Sequence, residues 1–312
     1  MGRLSGILTT AKEYKGFTRK AEIGEIVETM GGCDLDDAGI MDLGGRYIVV
    51  STDGITEELV KSDPWFAGYY SVLVNVNDVV VKGGRPLGYV NVISSPNREN
   101  RLAMAKGIQA GLVKFNLKLL KGHTHPDSSC ESVTSAVIGE AKRVVRATTA
   151  REGDLLAVAI DLAGAFGVKG WVKCFDSTVK KTKREIGSMV DAIIGFIEAG
   201  EVTASRDISA PGTLGTLAML CEASGVGAEI DLGLIPRPKI SPLDEWLITY
   251  PAMGYLFGIE SEETLAPLQK AGFAVSLVGK FTSEKKIVAR LGGESGIFLD
   301  MSKESIFGLR RA

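Results

Sequence analysis

The stretch Asp34–Arg85, DLDDAGIMDLGGRYIVVSTDGITEELVKSDPWFAGYYSVLVNVNDVVVKGGR, decides the fold. It opens on three acids, Asp34, Asp36 and Asp37, passes a glycine turn, and enters the apolar run Tyr47 to Val50, which ends at Ser51-Thr52-Asp53-Gly54. A second apolar run, from Tyr69 to Val81, carries Asn75, Asn77 and Asp78 inside it. An Asp in an otherwise buried segment is costly unless it is hydrogen-bonded, paired or bound to a cation. Several of them close together cannot all stay ionised without compensation. A hard cation such as Mg²⁺, itself bridging phosphate oxygens, supplies that compensation. The plainer alternative is a solvated turn at Asp34 to Asp37 and a strand-end cap at Asp53.

Around these acids the local signals alternate. Arg46 to Thr52 is β-branched and reads as a buried strand, with Asp53-Gly54 as its turn. From Pro64 to Gly83 the valine alternation suggests a strand, whereas about five helical turns of length, with Asp63 as N-cap and Pro64 at the first position, suggest a helix. A strand this long is exceptional and Gly83-Gly84 is a natural stop, so helix is the expectation. Pro86 to Ser94 returns to strand. Asn97 to Asn116 has helical spacing. Strand-like runs at Leu117 to Lys121 and Val133 to Ile138 flank the loop Gly122-His123-Thr124-His125-Pro126-Asp127, which holds both histidines. That loop suits phosphate contact, a turn held by its own Thr and Asp, or a metal pair lacking a third soft ligand.

With 312 residues, 45% hydrophobic content and a formal net charge of -2, the chain has material for two domains and a globular, soluble character. No long basic block points to nucleic acid. Cys33, Cys130, Cys174 and Cys221 are scattered without C-x-x-C spacing, which reads as free thiols in a reducing cytoplasm. The first fourteen residues lack an apolar signal region, and no hydrophobic run reaches membrane-spanning length. The first thirty residues read as a mobile basic arm, with Lys12, Lys15, Arg19 and Lys20, leading into a short helix that ends at Gly31-Gly32. A second domain is expected from the strand Leu155 to Ile160 onward, followed by an amphipathic helix over Ile186 to Ile197. Gly164, Gly167 and Gly170 match neither a dinucleotide fingerprint nor a P-loop. Pro211 suits the first turn of a helix ending at Ser224-Gly225, and Asp207 before it is either a cap or a metal-bridged acid facing a phosphate.

Five blocks in order, D-D-A-G from Asp36, S-T-D-G from Ser51, N-V-N-D-V-V-V-K-G-G-R-P from Asn75, K-G-H-T-H-P-D from Lys121 and R-D-I-S-A-P-G-T-L-G from Arg206, resemble the PurM-like ATP-binding superfamily. That superfamily includes aminoimidazole ribonucleotide (AIR) synthase, thiamine-monophosphate kinase, selenophosphate synthetase and HypE. The pattern G-x-T-R-K-x-x-I-G at Gly16 to Gly24 makes the chain most similar to the AIR synthase-related group known as methanogenesis marker protein 2.

The resemblance implies a two-domain α/β and α+β fold. An N-terminal domain over 1–150 would bind ATP and form a β-barrel across a homodimer, and an α+β domain would span 151–312. It implies ATP and Mg²⁺ as cofactors, with metal ligands among Asp36, Asp37, Asp53, Asp78 and Asp207. The superfamily's G-G-[DH]-[ST] loop is matched by Gly122, His123 and Thr124, with Lys121 in place of the first glycine. Asp78, Lys121 and His123 are the candidate catalytic residues. Lys12, Lys20, Asp53, Gly54, Gly122, Thr124 and Gly139 are the candidate nucleotide contacts. The implied activity is ATP-dependent phosphoryl transfer or ligation on an unidentified small molecule or cofactor precursor, in a cytoplasmic homodimer with no nucleic-acid or membrane partner. A non-catalytic ATP-binding assembly or regulatory protein is the alternative. Selenophosphate synthetase-like activity is disfavoured because no Cys precedes Cys33, and thiamine-monophosphate kinase-like activity because Ala210 stands where a second acid is expected.

Overall fold

The computed structural model describes residues 2–168 and 170–309. Helices α1 (Arg3–Glu13), α2 (Lys15–Thr18) and α3 (Ile23–Thr29) precede strands β1 (Gly39–Asp42) and β2 (Tyr47–Gly54). Helices α4 (Glu57–Ser62) and α5 (Pro64–Val81), strand β3 (Arg85–Ser94), helix α6 (Arg98–Phe115) and strands β4 (Lys118–His125) and β5 (Ser132–Ala141) follow. Then come β6 (Leu155–Ile160), β7 (Ala165–Val168), β8 (Cys174–Asp176), α7 (Lys183–Ala199), β9 (Val202–Asp207), α8 (Gly212–Ser224) and β10 (Gly227–Asp231). The chain continues through α9 (Leu243–Leu247), β11 (Tyr250–Pro251), β12 (Gly254–Ile259), α10 (Ala266–Lys270), β13 (Ala274–Thr282), β14 (Lys286–Leu291) and β15 (Glu294–Asp300). Among the described residues no helix is long and apolar enough to cross a membrane.

Two compact units result, one of Asp37–Val144 with Ala163–Glu198, the other of Met1–Asp36, Val145–Leu162 and Ala199–Ala312. They differ from a division at residue 150 by three segments, the smallest being 145–150, which joins the C-terminal half of the chain. The N-terminal helices go with the C-terminal half of the chain, and Ala163–Glu198 goes with the N-terminal half.

The unit containing Asp37–Val144 is built on a five-stranded sheet in the order β1-β2-β5-β3-β4. Only β3 and β4 pair in parallel, as the α6 crossover between them requires. Alternate residues Val49, Ser51, Tyr89, Ile93, Val133, Ser135 and Val137 are buried on one face, whereas Val50 and Val92 on the other are exposed. Helix α5 covers the buried face and is itself enclosed, which explains why its sequence is apolar nearly all round. Its ends follow the expectation. The Asp63 carboxylate accepts from the Phe66 N–H at 3.1 Å, Pro64 occupies the first turn, and Gly83 takes φ +87. Helix α6 crosses α5 at two facing glycines. A Cβ on Gly68 would lie 2.0 Å from the Met104 carbonyl oxygen, and one on Gly107 would lie 1.9 Å from that of Trp65.

Three expectations are corrected here. The N-terminal segment is helical rather than a mobile arm: Leu4, Ile7, Leu8 and Ala11 share one buried stripe along α1, and Phe17 meets Phe298 edge to face at 5.5 Å. Asp53-Gly54 is not a turn, because β2 stays paired with β5 through Asp53↔Ser135 and Gly54↔Thr134. Gly122 to His125 is likewise strand, paired with Asn91 to Ser94 of β3.

The other unit carries a seven-stranded sheet in the order β15-β14-β10-β13-β6-β12-β9. Its helix α8 starts at Gly212 with Pro211 as the flanking residue, and ends at Gly225 in the left-handed conformation.

Candidate functional site

Asp78 lies on the face of α5 that meets β2. The Ser51 hydroxyl donates to Asp78 Oδ2 at 2.5 Å and also lies 3.0 Å from Asn75 Oδ1, so one proton is shared between two acceptors. The chain of polar contacts continues inward. Asn75 Nδ2 donates to the Ser71 carbonyl at 3.0 Å and to Ser135 Oγ at 3.1 Å. Ser135 Oγ donates to the Ser71 carbonyl at 2.8 Å, and Ser71 Oγ lies 2.6 Å from the Tyr89 hydroxyl. Ser51, Ser71, Asn75, Ser135 and Tyr89 are all buried. A buried network with its donors and acceptors matched is rigid, so the Asp78 carboxylate is held in one orientation from beneath.

One turn further along the same helix face, Lys82 is fully buried. Its Nζ lies 3.0 Å from Asp37 Oδ2, and the two side chains are 0% and 4% exposed. An ammonium taken wholly out of water requires such a partner. Asp37 and Asp78 in turn offer carboxylate oxygens within 4.8 Å of each other. Both donors are hard oxygen ligands, which suits Mg²⁺ or Mn²⁺ rather than a thiophilic metal. Lys82, Ser51 and Asn75 were not among the sequence candidates. The available signal was the i, i+4 spacing of Asp78 and Lys82, which puts opposite charges on one helical face.

The neighbouring acids serve differently. Asp36 Oδ2 accepts from the Ala147 N–H at 2.8 Å, Asp34 pairs with Arg146, and Arg206 Nη1 donates to the Leu35 carbonyl at 3.1 Å, so Asp34 to Asp36 are anchored within their own unit. Of the adjacent pair, it is Asp37 that approaches Asp78. Asp53 is exposed and accepts from the following Gly54 N–H at 2.8 Å. Asp207 ends β9, opposite Tyr255 of β12, and is buried.

The remaining candidates are spread out. Asp53, Ser135, Asn91 and Gly122 form one row across β2, β5, β3 and β4. Lys121, Gly122, His123 and Thr124 are therefore three strand spacings, roughly 14 Å, from the β2 end of that row, exposed on the edge strand β4. The His123 and His125 rings are 4.6 Å apart, and among the described residues no third His, Cys, Asp or Glu completes a metal set with them. Lys12 Nζ meets Glu304 Oε1 at 2.5 Å, and Lys20 is half-buried in a 3-10 turn. Gly139 is a packing position, since a Cβ there would lie 2.5 Å from Val79 Cγ1 and 2.8 Å from the Arg85 carbonyl oxygen.

These features are set in a recognisable family. The chain belongs to the AIR synthase related proteins: the family's N-terminal domain matches residues 35–141 and its C-terminal domain matches residues 151–292. It is 32% identical to an uncharacterised protein of Methanocaldococcus jannaschii, over 98% of this chain and 99% of that one. It is 24% identical to the thiamine-monophosphate kinase of Pyrococcus abyssi, over 86% of each chain. In fold it is similar to the structure described as AaThiL complexed with AMPPCP and TMP, with a TM-score of 0.69 at 17% identity over 88% of this chain and 95% of that one. The PurM-like superfamily and its two-domain, mixed α and β fold, implied by the five sequence blocks, are thus those of this chain.

Proposed function

We propose that this protein binds ATP with Mg²⁺ through the Asp37 and Asp78 carboxylates and uses it for phosphoryl transfer to, or ligation of, a small molecule or cofactor precursor. The observation that carries this reading is the approach of Asp37 and Asp78 to within 4.8 Å, with Asp78 locked by Ser51 at 2.5 Å. The AMPPCP named for AaThiL, a relative in fold, supports the nucleotide. Sequence motif adds Asp53 as a further ligand, and Lys121, His123 and Thr124 as phosphate contacts. Bound Mg²⁺ would neutralise charge on the phosphate oxygens, which is the chief requirement of phosphoryl transfer. The chain's own part is orientation: the Ser51–Asn75–Ser135 network holds one carboxylate, and the Lys82 ammonium holds the other.

We further infer a homodimer of the methanogenesis marker protein 2 group, built on the sheet of the unit containing Asp37–Val144. Strand β4 is an edge strand exposed along its whole length. Met41, Val50, Val92, Leu119 and Leu120 leave apolar area in water, as an unpaired edge with an open apolar face does before it meets a second copy. Light scattering at micromolar concentration tests this, and a monomer contradicts it.

The activity is tested by ADP release from Mg-ATP in the presence of phosphoryl acceptors, thiamine monophosphate among them. Mg-dependent ADP formation that Asp78→Asn abolishes supports the enzyme. ATP binding without turnover on any acceptor replaces it with the assembly or regulatory reading.

A further inference from the structure

We propose that a cavity on the far side of α5 from Asp78 binds a small phosphate monoester with an apolar or aromatic body, separately from the nucleotide. The cavity, of about 590 Å³, lies within the unit containing Asp37–Val144, between the start of β3, the C-terminal end of α6 and the first half of α7. Such a volume suits a small-molecule ligand. Val76 lines it, and Val76 and Asp78 are two residues apart on α5, so they point about 200° apart around the helix. The site therefore needs neither Asp37 nor Asp78. Val76, Phe115, Ile186 and Val190 give the cavity an apolar lining, and Arg85, Lys114, Lys183 and Arg184 add cations. The one acid of the lining, Asp191, is already paired with Arg85 at 2.8 Å. Two of the cations are held in place with donors remaining. Lys114 Nζ donates to the carbonyl of Val179 at 2.9 Å and to that of Lys181, and Lys183 Nζ donates to Asn116 Oδ1 at 2.7 Å. An ammonium has three donors, which leaves one on Lys114 and two on Lys183. The Asp176 and Glu185 carboxylates, which also act on Lys114, are engaged elsewhere: Asp176 accepts from Tyr70, Thr178 and Val179, and Glu185 accepts from Thr182. A neighbouring cavity shares Lys114 and Lys183 and adds Lys106. Cations clustered in this way repel one another, and a phosphate monoester, with its double negative charge and three acceptor oxygens, relieves that repulsion. Gly187 points to the same occupant. It lines the cavity within α7, where glycine costs stability relative to alanine, yet a Cβ there would meet nothing within 4 Å. No close approach requires this glycine, and its missing side chain keeps the cavity open. Gly195, the other glycine of α7, is exposed to solvent.

The test is fluorescence titration of the full chain with 1-naphthyl phosphate, with and without saturating Mg-AMPPCP. The parent should bind 1-naphthyl phosphate saturably and at least about tenfold more tightly than 1-naphthol, which lacks the phosphate. Mg-AMPPCP should not displace it. Gly187→Leu fills the cavity and improves helix propensity, so it should melt no lower than the parent and bind 1-naphthyl phosphate at least about tenfold more weakly. The double variant Lys183→Gln, Arg184→Gln changes only exposed side chains. It should lose a similar factor for 1-naphthyl phosphate and none for 1-naphthol. No saturable binding by the parent, displacement by Mg-AMPPCP, or parental affinity in either variant overturns the site. Each of these results leaves the ATP reading to its own test, ADP release from Mg-ATP.

Discussion

Replacing Asp78 by Asn separates a metal ligand from a structural acid. In the ligand-free protein the change has two opposed effects. The amide oxygen still accepts from Ser51, whose Oγ lies 2.5 Å from Asp78 Oδ2, but a hydrogen bond to a charged group gives way to a neutral one, a loss of about 1 kcal/mol. Against this, the Asp37 carboxylate, with an oxygen within 4.8 Å, no longer faces a second negative charge. Two unit charges at such a distance repel by about 3–4 kcal/mol at an effective dielectric near 20, and Lys82 at 3.0 Å from Asp37 already cancels much of that. The effects nearly offset, so Asp78→Asn should melt within a few degrees of the parent when no ligand is present. With Mg-ATP at a hundredfold excess over its Kd, the parent gains about 2.7 kcal/mol, which corresponds to about 5–10 °C in Tm. If the charge removed is a metal ligand and affinity falls about a hundredfold, the variant gains only about 0.4 kcal/mol, or roughly one degree. Paired melting curves with and without Mg-ATP read both quantities. A variant that melts far below the parent without ligand yet keeps the full Mg-ATP shift refutes the metal-ligand reasoning.

Two further perturbations probe the framework. Gly107→Ala places a methyl where the Trp65 carbonyl oxygen stands 1.9 Å away, so α5 and α6 must separate; the urea midpoint should fall by the equivalent of about 1–3 kcal/mol, and an unchanged midpoint contradicts the close crossing. Burial pushes the Cys174 thiol up to about 12 and pushes Cys221 up as well. An acid whose pKa is raised stays protonated below it, so at pH 8 these two thiols should be inert to DTNB, while exposed Cys33 and Cys130 react. Prompt labelling of all four in the native protein contradicts the burial of the inner pair.

Much of this arrangement was legible in the sequence, for reasons specific to each element. Asp63-Pro64 and Gly83-Gly84 bracket α5 with an N-cap, a first-turn proline and a positive-φ stop, and these local signals outweighed the β propensity of its valines. Asp78 stood out because an acid within such a run needs a partner. In the N-terminal segment Leu4, Ile7, Leu8 and Ala11 have helical spacing, but the basic residues beside them imitate a solvated arm. Beyond Lys121 the Gly, His and Thr of β4 imitate a loop; parallel pairing with β3 overrides that local preference. The distinction between Asp36 and Asp37 could not be read from D-D-A-G. It depends on which long-range partner each meets, the Ala147 N–H or the Lys82 ammonium. For the same reason the i, i+4 spacing of Asp78 and Lys82 puts that lysine on the face of Asp78 without specifying Asp37 as its partner.

The most direct measurement of the central claim is isothermal calorimetry of ATP binding, performed once with saturating Mg²⁺ and once in excess chelator. Carboxylates at Asp37 and Asp78 repel bare phosphates and attract them only through a bridging cation. ATP should therefore bind at least about a hundredfold more tightly with Mg²⁺ than without it. Equal affinity under the two conditions would contradict the account.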